Sequence, residues 1–132
     1  MKEEYMRFGA YIRKKRRDDP REITQGEMAK QLGISLTYLS DIEHERKKPF
    51  DAECIEKFCA YLNLSDTQKA HIFDLAAKEK NEVPADIEDV FMYEEIGTMA
   101  RFALRESNAG NVTEKDWKRF IREIEAKKKG KK

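Results

Sequence analysis

Apolar residues recur at i, i+3, i+4 and i+7 along most of this chain, the spacing that lines one face of an α-helix, and strand-like alternation is weak throughout. An all-α protein is expected. Tyr5, Phe8, Gly9 and Ile12 form the first stripe. It ends in the basic run Arg13 to Arg17, which suits the negative end of a helix dipole, and is broken by Asp18, Asp19 and Pro20. A second helix starts at Thr24, which with Glu27 three residues on can form a reciprocal capping box; Met28, Ala29 and Leu32 face inward and Gly33 ends the helix. Ser35 caps a third helix over 36–44, with Leu39 and Ile42 inward, and Pro49 stops any continuation. Asp51 opens a fourth with the stripe Ile55, Phe58, Cys59 and Leu62. Ser65 and Gln68 form a second capping box before a fifth, over 66–80, that buries Ile72, Leu75 and Ala76. Five short helices in residues 1–80 make one domain.

Pro84 in "KNEVP" disfavours helix at Val83 and marks a boundary. A second module is expected over 85–126. Its first helix should run from about residue 85 to Glu106, with apolar side chains most of the way round the cylinder: Ile87, Val90, Phe91, Met92, Tyr93 and Ile96, then Met99, Ala100, Phe102, Ala103 and Leu104. A helix apolar on more than one face needs cover on more than one side. After a loop at 107–111, Thr113 caps a last helix with the single stripe Trp117, Phe120, Ile121 and Ile124. The tail, 127–132, reads "KKKGKK" and is expected to be disordered.

The formal net charge of +1 conceals a division along the chain. Residues 1–50 hold 12 Lys/Arg against 9 Asp/Glu, residues 51–126 hold 10 against 17, and the tail adds five lysines. A basic N-terminal part permits a polyanionic partner there. With no run of about 18 apolar residues and no secretory leader, a cytoplasmic protein without membrane contact is expected. Cys54 and Cys59 then stay reduced, and neither they nor His44 and His71 fall at metal-ligand spacing. No catalytic set and no cofactor motif stands out, so an enzyme is not expected.

Two helices joined at Gly33, the second amphipathic, have the form in which the second helix enters the DNA major groove. The stretch "ITQGEMAKQLGISLTYLSDIEHERKKP", from Ile23 to Pro49, resembles the XRE family, the phage-repressor-like Cro/C1-type regulators, and the likeness extends over about residues 5 to 78. It implies a five-helix lambda-repressor-like DNA-binding domain, followed here by a two-helix C-terminal extension. By position it implies that Gln25 touches the phosphate backbone and braces the recognition helix, and that Ser35 meets phosphate at that helix's entry. Leu36, Thr37, Ser40 and Asp41 are directed at base edges, Tyr38 at phosphate or the groove wall, and Arg46, Lys47 and Lys48 at the neighbouring backbone. Glu43 is expected to pair inside the domain with Arg16. Two departures stand out: Glu45 occupies the place of a glycine, and the loop "RDDPRE" is about two residues longer than usual.

The residues fit those roles on elementary grounds. Cations at the rims attract phosphate, while Leu36 and the Thr37 methyl suit thymine methyls, Thr37 and Ser40 donate or accept, and Asp41 can accept from cytosine. The expected function is a sequence-specific transcriptional regulator, a repressor reading a palindromic operator as a homodimer on double-stranded DNA. Dimer contacts are expected from Val90, Phe91, Tyr93, Ile96, Met99, Ala100, Ala103 and Leu104 with Trp117, Phe120, Ile121 and Ile124, although the same helices could instead fold back on the first domain. The second reading is an antitoxin that binds a protein toxin through these helices and represses their shared promoter.

Overall fold

The computed structural model of the chain describes residues 3–131, and every regular element among them is helical. A 3-10 turn, Glu3–Tyr5, precedes α1 (Phe8–Asp18), α2 (Gln25–Leu32), α3 (Leu36–Glu43), α4 (Ala52–Leu62), α5 (Asp66–Lys80), α6 (Glu88–Tyr93), α7 (Glu95–Asn108) and α8 (Glu114–Lys129). They form two compact units that divide after Ile87.

In the first unit α1 packs on α3 and α5, α2 on α3 and α4, and α4 on α5. Phe8, Tyr11 and Ile12 of α1 meet Met28, Leu32, Leu39 and Ile42 of the α2–α3 pair, with Ile55, Phe58, Ile72 and Phe73 closing the core. Tyr5 is not part of it: it sits in the turn before α1 and is largely exposed, and Tyr11 supplies the aromatic instead. Phe50, in the irregular segment between α3 and α4, is fully buried and lies edge-on to Phe8 with centroids 5.2 Å apart. Gly9 is required by packing, because a Cβ there would be driven into the carbonyl oxygen of Ile42.

The helix ends follow local chemistry. The side chains of Thr24, Ser35, Asp51, Ser65 and Thr113 each accept from the backbone N–H three residues on. The capping box expected at Thr24 is only half formed, since the Glu27 carboxylate lies 3.5 Å from the Thr24 hydroxyl and not on its backbone N–H; Ser65 and Thr113 have complete boxes. Gly33, Asn63 and Asn81 end α2, α4 and α5 in the left-handed region.

The second unit, from Glu88 on, has three helices where two were expected. The long helix predicted to reach Glu106 breaks at Glu94, which is extended (φ −106°, ψ 158°), and the chain turns so that α7 packs on α6. Continuous apolar patterning reads as one cylinder, and the fold of α7 onto α6 leaves much of that surface open, with Val90, Tyr93, Ile96, Met99 and Phe102 all exposed. Gly97 permits the close approach: a Cβ there would collide with the carbonyl oxygens of Val90 and Phe91. Arg101 donates to the Phe91 carbonyl from the far side of the turn. Ser107 joins α7 to α8 by accepting from Trp117 Nε1 at 3.0 Å and donating to the Val112 carbonyl at 2.9 Å. The α8 helix runs on to Lys129, into the segment expected to be disordered, because lysine is a good helix former and suits the negative C-terminal end. Lys132, the last residue of that tail, lies outside the described residues.

Candidate nucleic-acid interface

Gly33 (φ 71°) turns the chain between α2 and α3, with its own N–H and that of Ile34 closing onto the carbonyls of Lys30 and Ala29. Ser35 Oγ then accepts from Tyr38 N at 3.0 Å, so α3 begins with its first turn capped and the serine proton still free to be donated. Leu39 and Ile42 anchor α3 in the core. Leu36 and Thr37 are exposed, Ser40 and Asp41 half-buried, and Tyr38 packs partly against the core.

Behind α3 lies a buried polar brace. Arg16 Nε and Nη2 reach the two carboxylate oxygens of Glu43 at 2.8 and 2.9 Å, a bidentate pair in which the Glu43 side chain has no solvent exposure. Arg16 Nη1 donates to the Ile23 carbonyl at 2.9 Å, and Gln25 Nε2 donates to Glu43 at 2.9 Å. The guanidinium and carboxylate are thus paired and hydrogen-bonded, the condition under which charges tolerate burial. Gln25 links α2 to the C-terminal end of α3, and its amide oxygen makes no hydrogen bond among the described residues.

The exit from α3 answers the question of Glu45. Glu45 N bonds to the Ile42 carbonyl and Arg46 N to the Asp41 carbonyl, the paired closure of a Schellman turn, with Glu45 itself left-handed at φ 63°. The turn is therefore the one a glycine would make. The side chain offsets the strain: Glu45 Oε1 accepts from Ala10 N at 3.0 Å, while Glu79 Oε2 accepts from Phe8 N at 2.7 Å. Two carboxylates from distant parts of the chain cap α1, whose own N-cap residue, Arg7, supplies no side-chain cap. Arg7 bonds Glu79 at 2.8 Å and lies 3.6 Å from Glu45, and Glu79 first, then Glu45, makes its guanidinium hold its proton more firmly than usual.

The cations sort into committed and uncommitted ones. Arg46 Nε pairs with Asp41 at 2.9 Å. Arg21, in the lengthened loop, is also committed: it bonds Asp19 and the Tyr61 carbonyl and stacks over the Tyr61 ring at 4.8 Å. Its loop takes up the two extra residues with a tight turn in which Glu22 is left-handed. Lys14 pairs with Asp18 and Lys15 with Glu3. Lys47 and Lys48 are exposed and make no ion pair among the described residues, nor do Arg13 and Arg17, which line one hollow beside Glu43. The structure thus gathers Ser35, Leu36, Thr37, Ser40 and Asp41 on α3, sets Arg46 to Lys48 just beyond its end, and turns Gln25 inward. The Arg46–Asp41 pair and the Glu45–Ala10 cap were not expected from sequence. They arise from a turn conformation and a long-range approach that no local pattern records.

Among the described residues no cluster of His, Cys, Asp and Glu is placed to hold a metal ion, and no helix is long and apolar enough to cross a membrane. Residues 12–68 match the model of the helix-turn-helix family. The chain is 41% identical over 58 residues, 44% of its own length, to the ImmF control region 10 kDa protein of Bacillus phage phi105. It spans 61% of that relative. No solved structure is significantly similar to it.

Proposed function

We propose, from the premise that residues 12–68 belong to the helix-turn-helix family and are XRE-like, that this protein is a sequence-specific DNA-binding transcriptional regulator. The observation that carries the reading is the division of labour around α3. Its outward face offers short apolar and hydroxyl side chains, its acidic residues are each engaged by an arginine, and uncommitted lysines follow directly. In this reading α3 lies in the major groove, with Leu36 and Thr37 against thymine methyls and Thr37 and Ser40 bonding base edges. Ser35, Tyr38, Lys47 and Lys48 position the domain on phosphates, joined by the second amide hydrogen of Gln25, whose first is held by Glu43.

The regulator acts as a repressor on a palindromic operator, bound by a homodimer whose recognition helices stand about 34 Å apart. The exposed apolar side chains of residues 88–124, among them Tyr93, Ile96, Met99, Phe102 and Phe120, support such an assembly. A second reading, an antitoxin that covers the same side chains with a protein toxin, is favoured instead if the chain sediments as a monomer at micromolar concentration. The DNA reading is tested by selecting bound duplexes from a random pool at moderate salt. A two-fold symmetric consensus is expected, and no enrichment would overturn it.

A further inference from the structure

We infer that Arg46 is a base-reading side chain, directed at guanine and held in position by Asp41. The inference rests on the DNA reading above and departs from the expectation that Arg46 grips phosphate while Asp41 reads cytosine alone. Two bonds tie the residues together. Arg46 N donates to the Asp41 carbonyl at 2.8 Å within the Schellman turn, and Arg46 Nε donates to Asp41 Oδ1 at 2.9 Å. The first fixes where the arginine leaves the turn, and the second draws its guanidinium back over the last turn of α3. That is the face on which Thr37, Ser40 and Asp41 stand, whereas Lys47 and Lys48 are exposed and unpaired among the described residues.

With Nε engaged, the fork of Nη1 and Nη2 makes no hydrogen bond among the described residues and is the donor pair that matches guanine O6 and N7. Charge also separates the two possible targets. A guanidinium beside a carboxylate loses most of its net attraction for a phosphate, yet its N–H groups keep their donor strength toward a neutral base. Asp41 gains as well, since an unpaired carboxylate in the groove would repel the polyanion. In water so exposed a pair contributes little, but excluding water at the groove strengthens it.

The test uses the whole chain, selecting duplexes with the wild type, Arg46→Lys and Asp41→Asn, then measuring affinity for the selected site and for single-base variants. Arg46 is exposed and Asp41 half-buried, neither belongs to the core, and circular dichroism is expected to show an unchanged fold. The wild type should prefer guanine at one position per half-site by about 5- to 150-fold, the discrimination of one bidentate contact; Asp41→Asn should lose that preference and Arg46→Lys, without the planar fork, should weaken it. The double variant should lose no more than Asp41→Asn alone. Arg46→Lys keeps the charge, so its salt dependence should stay that of the wild type. A guanine preference undiminished in Arg46→Lys, whose ammonium can reach guanine but lacks the planar fork, would overturn the inference, as would loss of a cytosine preference by Asp41→Asn alone. Weakening in Arg46→Lys but not in Asp41→Asn would remove the positioning role. A wild type that enriches no sequence would instead sink the DNA reading, and this inference with it.

Discussion

Left-handed backbone at a non-glycine residue costs about 1 to 2 kcal/mol, so Glu45 must be held by something, and the bond from Ala10 N to its carboxylate is what the structure provides. Glu45→Ala removes the cap and keeps the strain. It should lower unfolding free energy by about 1 kcal/mol, the usual effect of losing a helix cap. Glu45→Gly removes both and should come out above Glu45→Ala by about 1 kcal/mol in urea titration; equal stability of the two would contradict the offset. Cys59 makes a second residue-level case. Burial pushes its thiol up from about 9 to about 11. The folded chain holds that proton more tightly than the unfolded one, so the associated stability is complete below about pH 9 and is lost as pH rises toward 11. At pH 8 an alkylating reagent should reach the half-buried Cys54 first, and Cys59 only once the chain is unfolded by urea.

At the scale of elements, the orientation of α3 depends on the Arg16–Glu43–Gln25 brace against α1 and α2. Removing one member of a buried pair strands the other charge, so Arg16→Ala should cost about 3 to 5 kcal/mol in urea unfolding, whereas replacing both by apolar residues, Arg16→Met with Glu43→Leu, should cost far less. A mild single-variant effect would mean the pair is not desolvated as the structure describes. In the second unit, Gly97→Ala pushes a methyl group into the backbone of α6, and about 1 to 3 kcal/mol of overpacking should free α6. Faster amide exchange over 88–93 with α8 still protected is the expected readout. These elements also mark what the sequence makes legible. Caps such as Ser35, Asp51 and Ser65 could be read because donor and acceptor sit three residues apart. The break at Glu94 could not, since no proline or capping side chain announces it and the apolar pattern runs through. Phe50 was missed for the opposite reason, being a core residue in a segment with no period. On α3 the inward Leu39 and Ile42 followed from spacing and the outward set from the family resemblance, but the partners of Asp41 and Glu45 depended on a turn whose usual marker, glycine, is absent.

For the molecule as a whole, a net charge of +1 cannot itself draw the chain to a polyanion, so the attraction must be local to the cations left uncommitted beside α3. If Lys47 and Lys48 each meet a phosphate, replacing both by alanine should weaken all duplexes alike. It should also flatten the dependence of log affinity on log salt by about 1.8 per protomer. The slope on a whole operator also depends on how many protomers contribute. Ile96 is 64% exposed, so nothing in its own unit has to be repacked around a charge there. Ile96→Glu should leave the circular dichroism spectrum nearly unchanged yet drive a homodimer toward monomer by placing carboxylates in an apolar interface. Each monomer then keeps one α3 and one pair of lysines. Affinity for a full palindrome should fall steeply, affinity for an isolated half-site should hold, and the salt slope on the palindrome should drop to about half, because half the phosphate contacts are made at once. Sedimentation and salt titration on the same variant check the two halves of the argument separately. A variant that becomes monomeric with its palindrome affinity and slope intact would show that the second unit self-associates for some purpose other than reading a symmetric site.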